Sequence, residues 1–564
     1  MAQSIEQTAE QLRNIIIKAA EQAISDGALQ KVTLPDFAVE APAQRAHGDL
    51  AANLAMVAAK SFGTAPRTIA QAIAERVQLS GSYFARCEIA GPGFLNFFYD
   101  TQFYTDAVKA VLEKGKNYGK SDFGKGKRVM VEFVSANPTG PMHMGNARGG
   151  ALGDCLAAVL DAAGYDVWRE FYVNDAGNQI EKFGLSLEAR YLQQYLGDEN
   201  VPFPEDGYQG QDIIARAQEF AQINGDRFVQ ADTTTRRQAL VDYALPKNIA
   251  KMKQDLEKYG IVYDQWFLES TLHQEGQVQE TINALTQRGY TYEKDGALWY
   301  KATEFGAEKD DVLVRQNGIP TYFAADIAYH RNKLVKRGFD LCIDIWGADH
   351  HGHVARMKGA MQALGLDSNR LDVILMQLVR LTQNGEVVRM SKRTGKAIGL
   401  GDLLDEVPVD SARFLFNLRE ANSQMEFDLD LAVKQDAQNP VYYVQYARAR
   451  ICSILKALSA DGITPQPYTD AQLALLTEPA ELELISHLAA YTGEIVQAAK
   501  DYDPARITRY VMTAATLFHK FYDACRVKGV EAELTNARLT LCLATSTVIC
   551  NVLEMFKIST PESM

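Results

Sequence analysis

The chain has 564 residues, 47% of them apolar and 23% charged; at about 100–200 residues per domain it needs several cores, and this balance excludes a disordered or fibrous protein. Lys and Arg total 58 against 71 Asp and Glu, a formal charge of −13, so a polyanion has to be held by local patches, whereas a small cationic substrate suits the whole. Seven cysteines, none in a CxxC pair, argue against both a disulfide framework and a thiolate zinc site.

The first stretch, MAQSIEQTAEQLRNIIIKAAEQAI, spaces Leu12, Ile15, Ile16 and Ala19 on one helical face and has no basic segment leading into a continuous apolar run. No segment elsewhere approaches the roughly 18–20 apolar residues needed to cross a bilayer. The expectation is a cytoplasmic chain with no membrane partner. HGDLAANLAMVAAK and the turn-then-strand GPGFLNFFYD complete an α+β unit over residues 1–115. The basic, glycine-rich piece 113–128 reads as an exposed connector, with a phosphate contact as the alternative.

From 129 the pattern alternates: VMVEFV, then ALGDCLAAVLDAAG, then YDVWREFYV. Strand, helix, strand in that order predicts a βαβ unit and a parallel sheet. Residues 180–300 are mostly polar and helical and read as an insertion between two halves of that sheet, which resumes with LCIDIWG at 341–347 and VILMQLVRL at 373–381. From about 435 helical periodicity dominates.

Between the first strand and its helix lies SANPTGPMHMGNARGG, residues 135–150. A glycine-rich turn from the carboxyl end of a parallel strand into a helix aims backbone N–H groups at an anion, most often a nucleotide phosphate. Gly140, Gly145, Gly149 and Gly150 fit neither GxGxxG nor the P-loop. His143 could donate to a phosphoryl oxygen as charge develops there; taken alone it reads more often as structural. The segment RMSKRTGK at 389–396 puts four cations in eight residues, either a solvated basic loop or a second phosphate contact. In ADHHGH, Asp349, His350, His351 and His353 have the chemistry of metal ligands, although contiguous residues cannot all turn into one site from a regular strand.

The pairing of P-x-H-x-G at a strand-to-helix turn with M-S-K some 250 residues later resembles the two fingerprints of class I aminoacyl-tRNA synthetases, in the arginyl branch. The longer matches VEFVSANPTGPMHMGNARGGALGD, TYFAADIAYHRNKL, IDIWGADHHGHVARMKGAMQALG and NPVYYVQYARARI follow in the expected order. The resemblance implies a multidomain α/β protein: an additional domain at 1–115 contacting the outer corner of tRNA, and a Rossmann-type catalytic domain at 121–385. A mobile phosphate loop and connecting segment would follow at 386–434, then an all-α anticodon-binding bundle at 435–564. It implies condensation of ATP, carried with Mg2+, and arginine to arginyl-adenylate, then transfer to the terminal ribose of tRNA-Arg. In-line attack by a substrate carboxylate needs charge stabilisation and positioning and no protein nucleophile.

By resemblance His143, Asn146 and Lys392 are catalytic, and ATP is held by Gly140, His143, Gly145, Asn146, Gly347, His353, Met390 and Lys392. Asn146 stands where a second histidine is common and Arg389 where a first lysine is common; Asn keeps a donor and Arg keeps the charge. Arginine would be held by Glu132, Ser135, Asn137, Tyr322, Asp326 and His350. A guanidinium is planar, cationic and forked, so its pocket calls for carboxylates; Tyr322 and Asp326, four apart, share a helical face, and Glu132 is a carboxylate inside an apolar strand. Tyr442, Tyr446 and Arg448, with Tyr443 and Arg450 nearby, would meet tRNA; at least one of the three tyrosines is expected in the core. NARL at 536–539 is an imperfect match to a short motif of such domains. No intrinsic metal is expected, and family habit suggests a monomer. Two readings compete: a histidine-metal hydrolase built on Asp349, His350, His351 and His353, and a non-catalytic, synthetase-derived RNA-binding protein.

Overall fold

The apolar run VMVEFV supplies the central strand, Arg128–Glu132, of a five-stranded sheet in the computed structural model, which describes residues 5–42, 44–388 and 398–564. Across the sheet the order is Leu371–Met376, Leu341–Gly347, Arg128–Glu132, Asp166–Val173 and Gln265–Leu268, every pair parallel. Period-2 alternation sends Val129 and Val131 to one apolar core and Met130 to another on the opposite face. The helix Gly145–Ala162 covers the first face, while Tyr322–Arg331 and His351–Ala363 contribute to the second core. Gly153 lets the first helix close on the sheet: a Cβ there would lie 2.2 Å from Cγ of Phe133.

The strand Gln265–Leu268 corrects the expected insertion. It lies within 180–300 yet forms an edge of the main sheet, where an outer strand needs less apolar sequence. Before it, the helices Asn178–Leu196, Gln211–Asn224 and Thr233–Lys258 enclose a core of their own around Phe183, Tyr191, Phe220 and Leu240. After it, Thr291–Lys294, Ala297–Tyr300 and Asp311–Val314 make a small antiparallel sheet.

The N-terminal unit carries a four-stranded antiparallel sheet packed with helices. The following connector is not the free strap its composition suggests. Tyr118 is buried and donates its hydroxyl to the Leu488 carbonyl at 3.0 Å, and Asn551 donates to the Gly115 carbonyl at 2.9 Å, so the piece is docked on the C-terminal helices. A boundary at 385 would also cut a small sheet, because Val379–Gln383 pairs both with Glu386–Val387 and with Met425–Asp428.

From Pro440 the chain is helical to Met555, apart from its connections. Ala532–Met555 is long and apolar enough to cross a membrane, contrary to the sequence reading; 72% of its most apolar window is buried among the other helices. None of the three tyrosines in Pro440–Ala460 is fully buried, a second correction: Tyr442 and Tyr443 are half-buried and Tyr446 is exposed. Tyr443 and Tyr446 both rest on His519, and that aromatic shelf on the bundle's surface replaces the expected core position. Arg448 turns inward, donating through Nε to the Cys550 sulfur at 3.1 Å, and so offers less to a phosphate than its sequence context implied.

Candidate active site

All five parallel strands end on one edge of the sheet, the usual place for a ligand crevice in such folds. The central strand leaves it abruptly. Val134 and Ser135 have φ of 70° and 40°, a left-handed conformation that a β-branched residue adopts only at a cost of about 1–3 kcal/mol. The reversal turns the Ser135 hydroxyl onto Glu132, to which it donates at 2.9 Å, while its oxygen accepts the Tyr172 N–H at 3.1 Å.

A cavity of about 890 Å³ opens beside this reversal, and Glu132, Ser135, Tyr322, Asp326, Gly347, His350 and His353 all line it. Tyr322 is the first residue of its helix and Asp326 lies one turn on, as their spacing predicts. The Tyr322 hydroxyl accepts the Gln179 N–H at 3.1 Å. Asp326 accepts at Oδ2 from Nε2 of His353 at 2.6 Å, and Arg356 donates to Nδ1 of the same ring at 3.1 Å. Since a guanidinium only donates, the ring carries its proton on Nε2. Burial works against the Asp326 carboxylate, yet the His353 hydrogen bond and the nearby cations outweigh it and hold its pKa below the usual value.

Two residues, one in this wall and one behind it, were not foreseen. Glu269, buried at the start of a short helix, accepts the Tyr172 hydroxyl at 3.0 Å and faces the same cavity. Its sequence neighbourhood, WFLES, falls within the stretch read as a polar, helical insertion; the edge strand Gln265–Leu268 brings it here. Lys333 is fully buried and binds Glu132 at 2.5 Å and Asp344 at 2.8 Å. Glu132 thus has one oxygen on Lys333 and the other on Ser135, where the expectation was a direct hold on a substrate cation. Burial raises its carboxyl pKa, with the Lys333 ammonium opposing.

Asn137 falls outside this cavity. It borders a shallow hollow of about 250 Å³ with Gly140, Tyr208 and Asp212. His143 lines a third space, about 680 Å³, with Gln377, Leu381, Val388 and Ile398. Its Nδ1 accepts the Gly145 N–H at 3.1 Å, which puts the ring proton on Nε2, a donor available to an incoming oxygen. The turn is clipped to the segment after the basic loop: Met144 N–H bonds Ile398 O at 3.0 Å and Leu400 N–H bonds Met142 O at 2.9 Å. Met390 and Lys392 lie outside the described residues; Val388 and Ile398, which flank that span, both border the His143 cavity. Asn146 sits on the first turn of the helix, half-buried.

The histidine cluster does not converge. Asp349, His350 and His351 are exposed around a short 3₁₀ turn while His353 points to Asp326. Among the described residues no three His, Cys, Asp or Glu side chains are grouped to hold a metal ion.

A parallel sheet with its ligand edge at the strand carboxyl ends, a P-x-H-x-G turn opening the first helix and a helical domain behind it define a class I aminoacyl-tRNA synthetase. Sequence families agree segment by segment: the arginyl tRNA synthetase N terminal domain matches residues 10–99, the class I (R) tRNA synthetase catalytic domain 107–451, and the DALR anticodon binding domain 444–564. The chain is 56% identical to the arginine–tRNA ligase of Caldanaerobacter subterraneus and 52% identical to that of Acetivibrio thermocellus, over 100% of each chain. The Thermus thermophilus arginyl-tRNA synthetase has the same fold, with a TM-score of 0.73 at 21% identity over 98% of this chain and 100% of its own. The chain belongs to the arginyl-tRNA synthetase family.

Proposed function

We propose that the chain is a working arginine–tRNA ligase, which activates arginine with ATP and passes the arginyl group to tRNA. The observation that carries this is the cavity at the sheet's carboxyl edge, where Asp326 and the buried Glu269 stand among Tyr172, Tyr322 and Trp346. Two carboxylates and aromatic faces suit a flat, forked cation. The hydrolase alternative has no convergent histidines behind it, and a purely binding protein would have no use for this pocket.

In the reaction the arginine carboxylate attacks the α-phosphorus of ATP; the bond from that phosphorus to the bridging oxygen breaks and pyrophosphate leaves. A ribose hydroxyl of tRNA then attacks the arginyl carbonyl, and AMP departs. We assign Asp326 and Glu269 to the guanidinium, Tyr322 to its flank, and Ser135, braced by Glu132, to the arginine main-chain groups, with Asn137 reaching them only on a shift of its loop. The Nε2–H of His143 would meet a phosphate oxygen, joined by Lys392 and the Asn146 amide, with Gly140, Gly145, Gly347 and Met390 around the nucleotide. Mg2+ would arrive with ATP. Tyr446, Tyr442 and Arg450 would receive unstacked anticodon bases and phosphates. The acting species would be a cytoplasmic monomer.

Charging of tRNA with arginine, with citrulline and lysine as competitors, tests this reading. Citrulline keeps the planar group and removes the charge; lysine keeps the charge and removes the fork. Selective charging with arginine is expected, and absence of arginylation under saturating ATP and tRNA overturns it.

A further inference from the structure

Glu170, Glu132 and Asp344 are directly opposite one another on three adjacent strands and therefore face the same side of the sheet. All three are buried. Such a row of like charges in low dielectric stands only if each carboxylate is met by a cation. The cations come from one stripe: His330, Lys333 and Arg337, spaced i, i+3, i+7 along the end of the helix Tyr322–Arg331 and the π-helical turn Asn332–Lys336 that continues it. Arg337 donates to Glu170 through both terminal nitrogens, Lys333 bridges Glu132 and Asp344, and His330 meets Asp344. Extended one turn toward the helix start, the stripe reaches Asp326.

His330 ties the stripe to the substrate cavity. Its Nδ1 lies 2.8 Å from the Asp326 carbonyl oxygen and its Nε2 lies 2.7 Å from Oδ2 of Asp344. Both partners are acceptors only, so a neutral ring would aim a lone pair at one of them; the doubly protonated imidazolium satisfies both. Asp326 and Lys333 face the ring from its own segment, Asp344 from the neighbouring strand, and Tyr329 and Trp346 touch it edge-on. Burial and Lys333 disfavour the charged ring, but the Asp344 hydrogen bond and the two aspartates outweigh them, raising its pKa above 6.5.

We propose that His330, as an imidazolium, is a positioning residue for arginine: it fixes the backbone of Asp326 on one side and, through Asp344, Lys333, Glu132 and Ser135, the opposite wall of the same cavity on the other. The proposal rests on Asp326 being the carboxylate that receives the substrate guanidinium. Removing the ring proton leaves a lone pair against an oxygen and an unbalanced negative charge in the row. Because the folded pKa is raised, the positioned state is complete below about pH 6.5 and is lost as pH rises through the folded value. Arginine KM then climbs with pH while ATP KM holds.

The test measures both KM values in the arginylation reaction of the full chain from about pH 6 to 9, with ¹⁵N NMR of the histidine-labelled enzyme at pH 7. In the wild type, His330 is expected to show two protonated ring nitrogens, its signal assigned by its loss in His330→Gln. In His330→Gln, arginine KM should rise about tenfold, the scale of one charged hydrogen bond, and lose the alkaline limb, with ATP KM within about twofold. Asp344→Asn should move that limb to lower pH. A neutral His330 in the wild type overturns the proposal, as does a His330→Gln enzyme that melts earlier yet keeps the wild-type arginine KM and pH limb. If His330→Gln does not fold, the nitrogen whose chemical shift follows Asp344→Asn supplies the assignment. Asp326→Asn in the same assay separates the two readings: an unchanged arginine KM there removes the underlying assignment, whereas a raised one with His330→Gln unmoved removes the positioning role alone.

Discussion

At Asp326 a half-buried carboxylate keeps its charge against burial because His353 donates to it. A charged contact to a guanidinium is worth about 1.5–3 kcal/mol, so Asp326→Asn should lower kcat/KM for arginine at least about tenfold while leaving ATP saturation in place; steady-state kinetics at fixed tRNA check it. This residue was legible in the sequence, since its spacing from Tyr322 fixes a shared helical face and needs no long-range information. Glu132 was half legible. Its burial followed from the apolar strand, but its partners Lys333 and Ser135 depend on a π-helical turn and a left-handed reversal that no periodicity announces. Glu269 was not legible at all, because the edge strand that delivers it is only four residues long and flanked by polar sequence.

Among the elements, the helix Gly145–Ala162 packs tightly against the end of the central strand. Placing a methyl on Gly153 meets the base of the Phe133 side chain, which is fully buried and has nowhere to move. Gly153→Ala should therefore cost about 1–3 kcal/mol in denaturant unfolding, outweighing the roughly 1 kcal/mol gained in helix propensity. The acid row makes a second element-scale prediction. Burial raises the Asp344 carboxyl, but Lys333 and His330 overcome it and hold its pKa at about 2 against 3.8. That difference is worth on the order of 2 kcal/mol, present above the unfolded value and lost as pH falls from about 4 toward 2. Unfolding free energies at pH 5 and pH 3 should show about half of this loss in the wild type and a smaller change in Asp344→Asn. The strands other than the edge strand Gln265–Leu268 could be read from sequence, whereas their order across the sheet could not, because the cationic stripe that meets the acid row comes from residues far in the chain from Glu132 and Glu170.

For the molecule as a whole, the question is what binds the helical domain to the sheet. Composition announced several domains and motif order announced their sequence, but not their mutual contacts, because the residues involved stand far apart in the chain. Arg413 is fully buried and donates to Asp154 at 2.5 Å, to the Phe556 carbonyl at 2.7 Å and to the Tyr259 carbonyl at 3.0 Å. It therefore joins the helix that His143 precedes, the end of the long insertion helix and the end of the last helix. Lys557 adds a bond to the other oxygen of Asp154 at 2.9 Å. Breaking a buried pair by removing one partner typically costs about 3–5 kcal/mol, because the remaining charge loses its compensation. Arg413→Gln should lose stability on that scale and uncouple the domains, so that thermal unfolding followed by calorimetry spreads into transitions more widely separated than in the wild type. An unfolding profile unchanged in the variant would mean that apolar contact between the domains suffices, and that Asp154 finds enough charge in Lys557 and in Arg169, whose Nε lies 3.5 Å away.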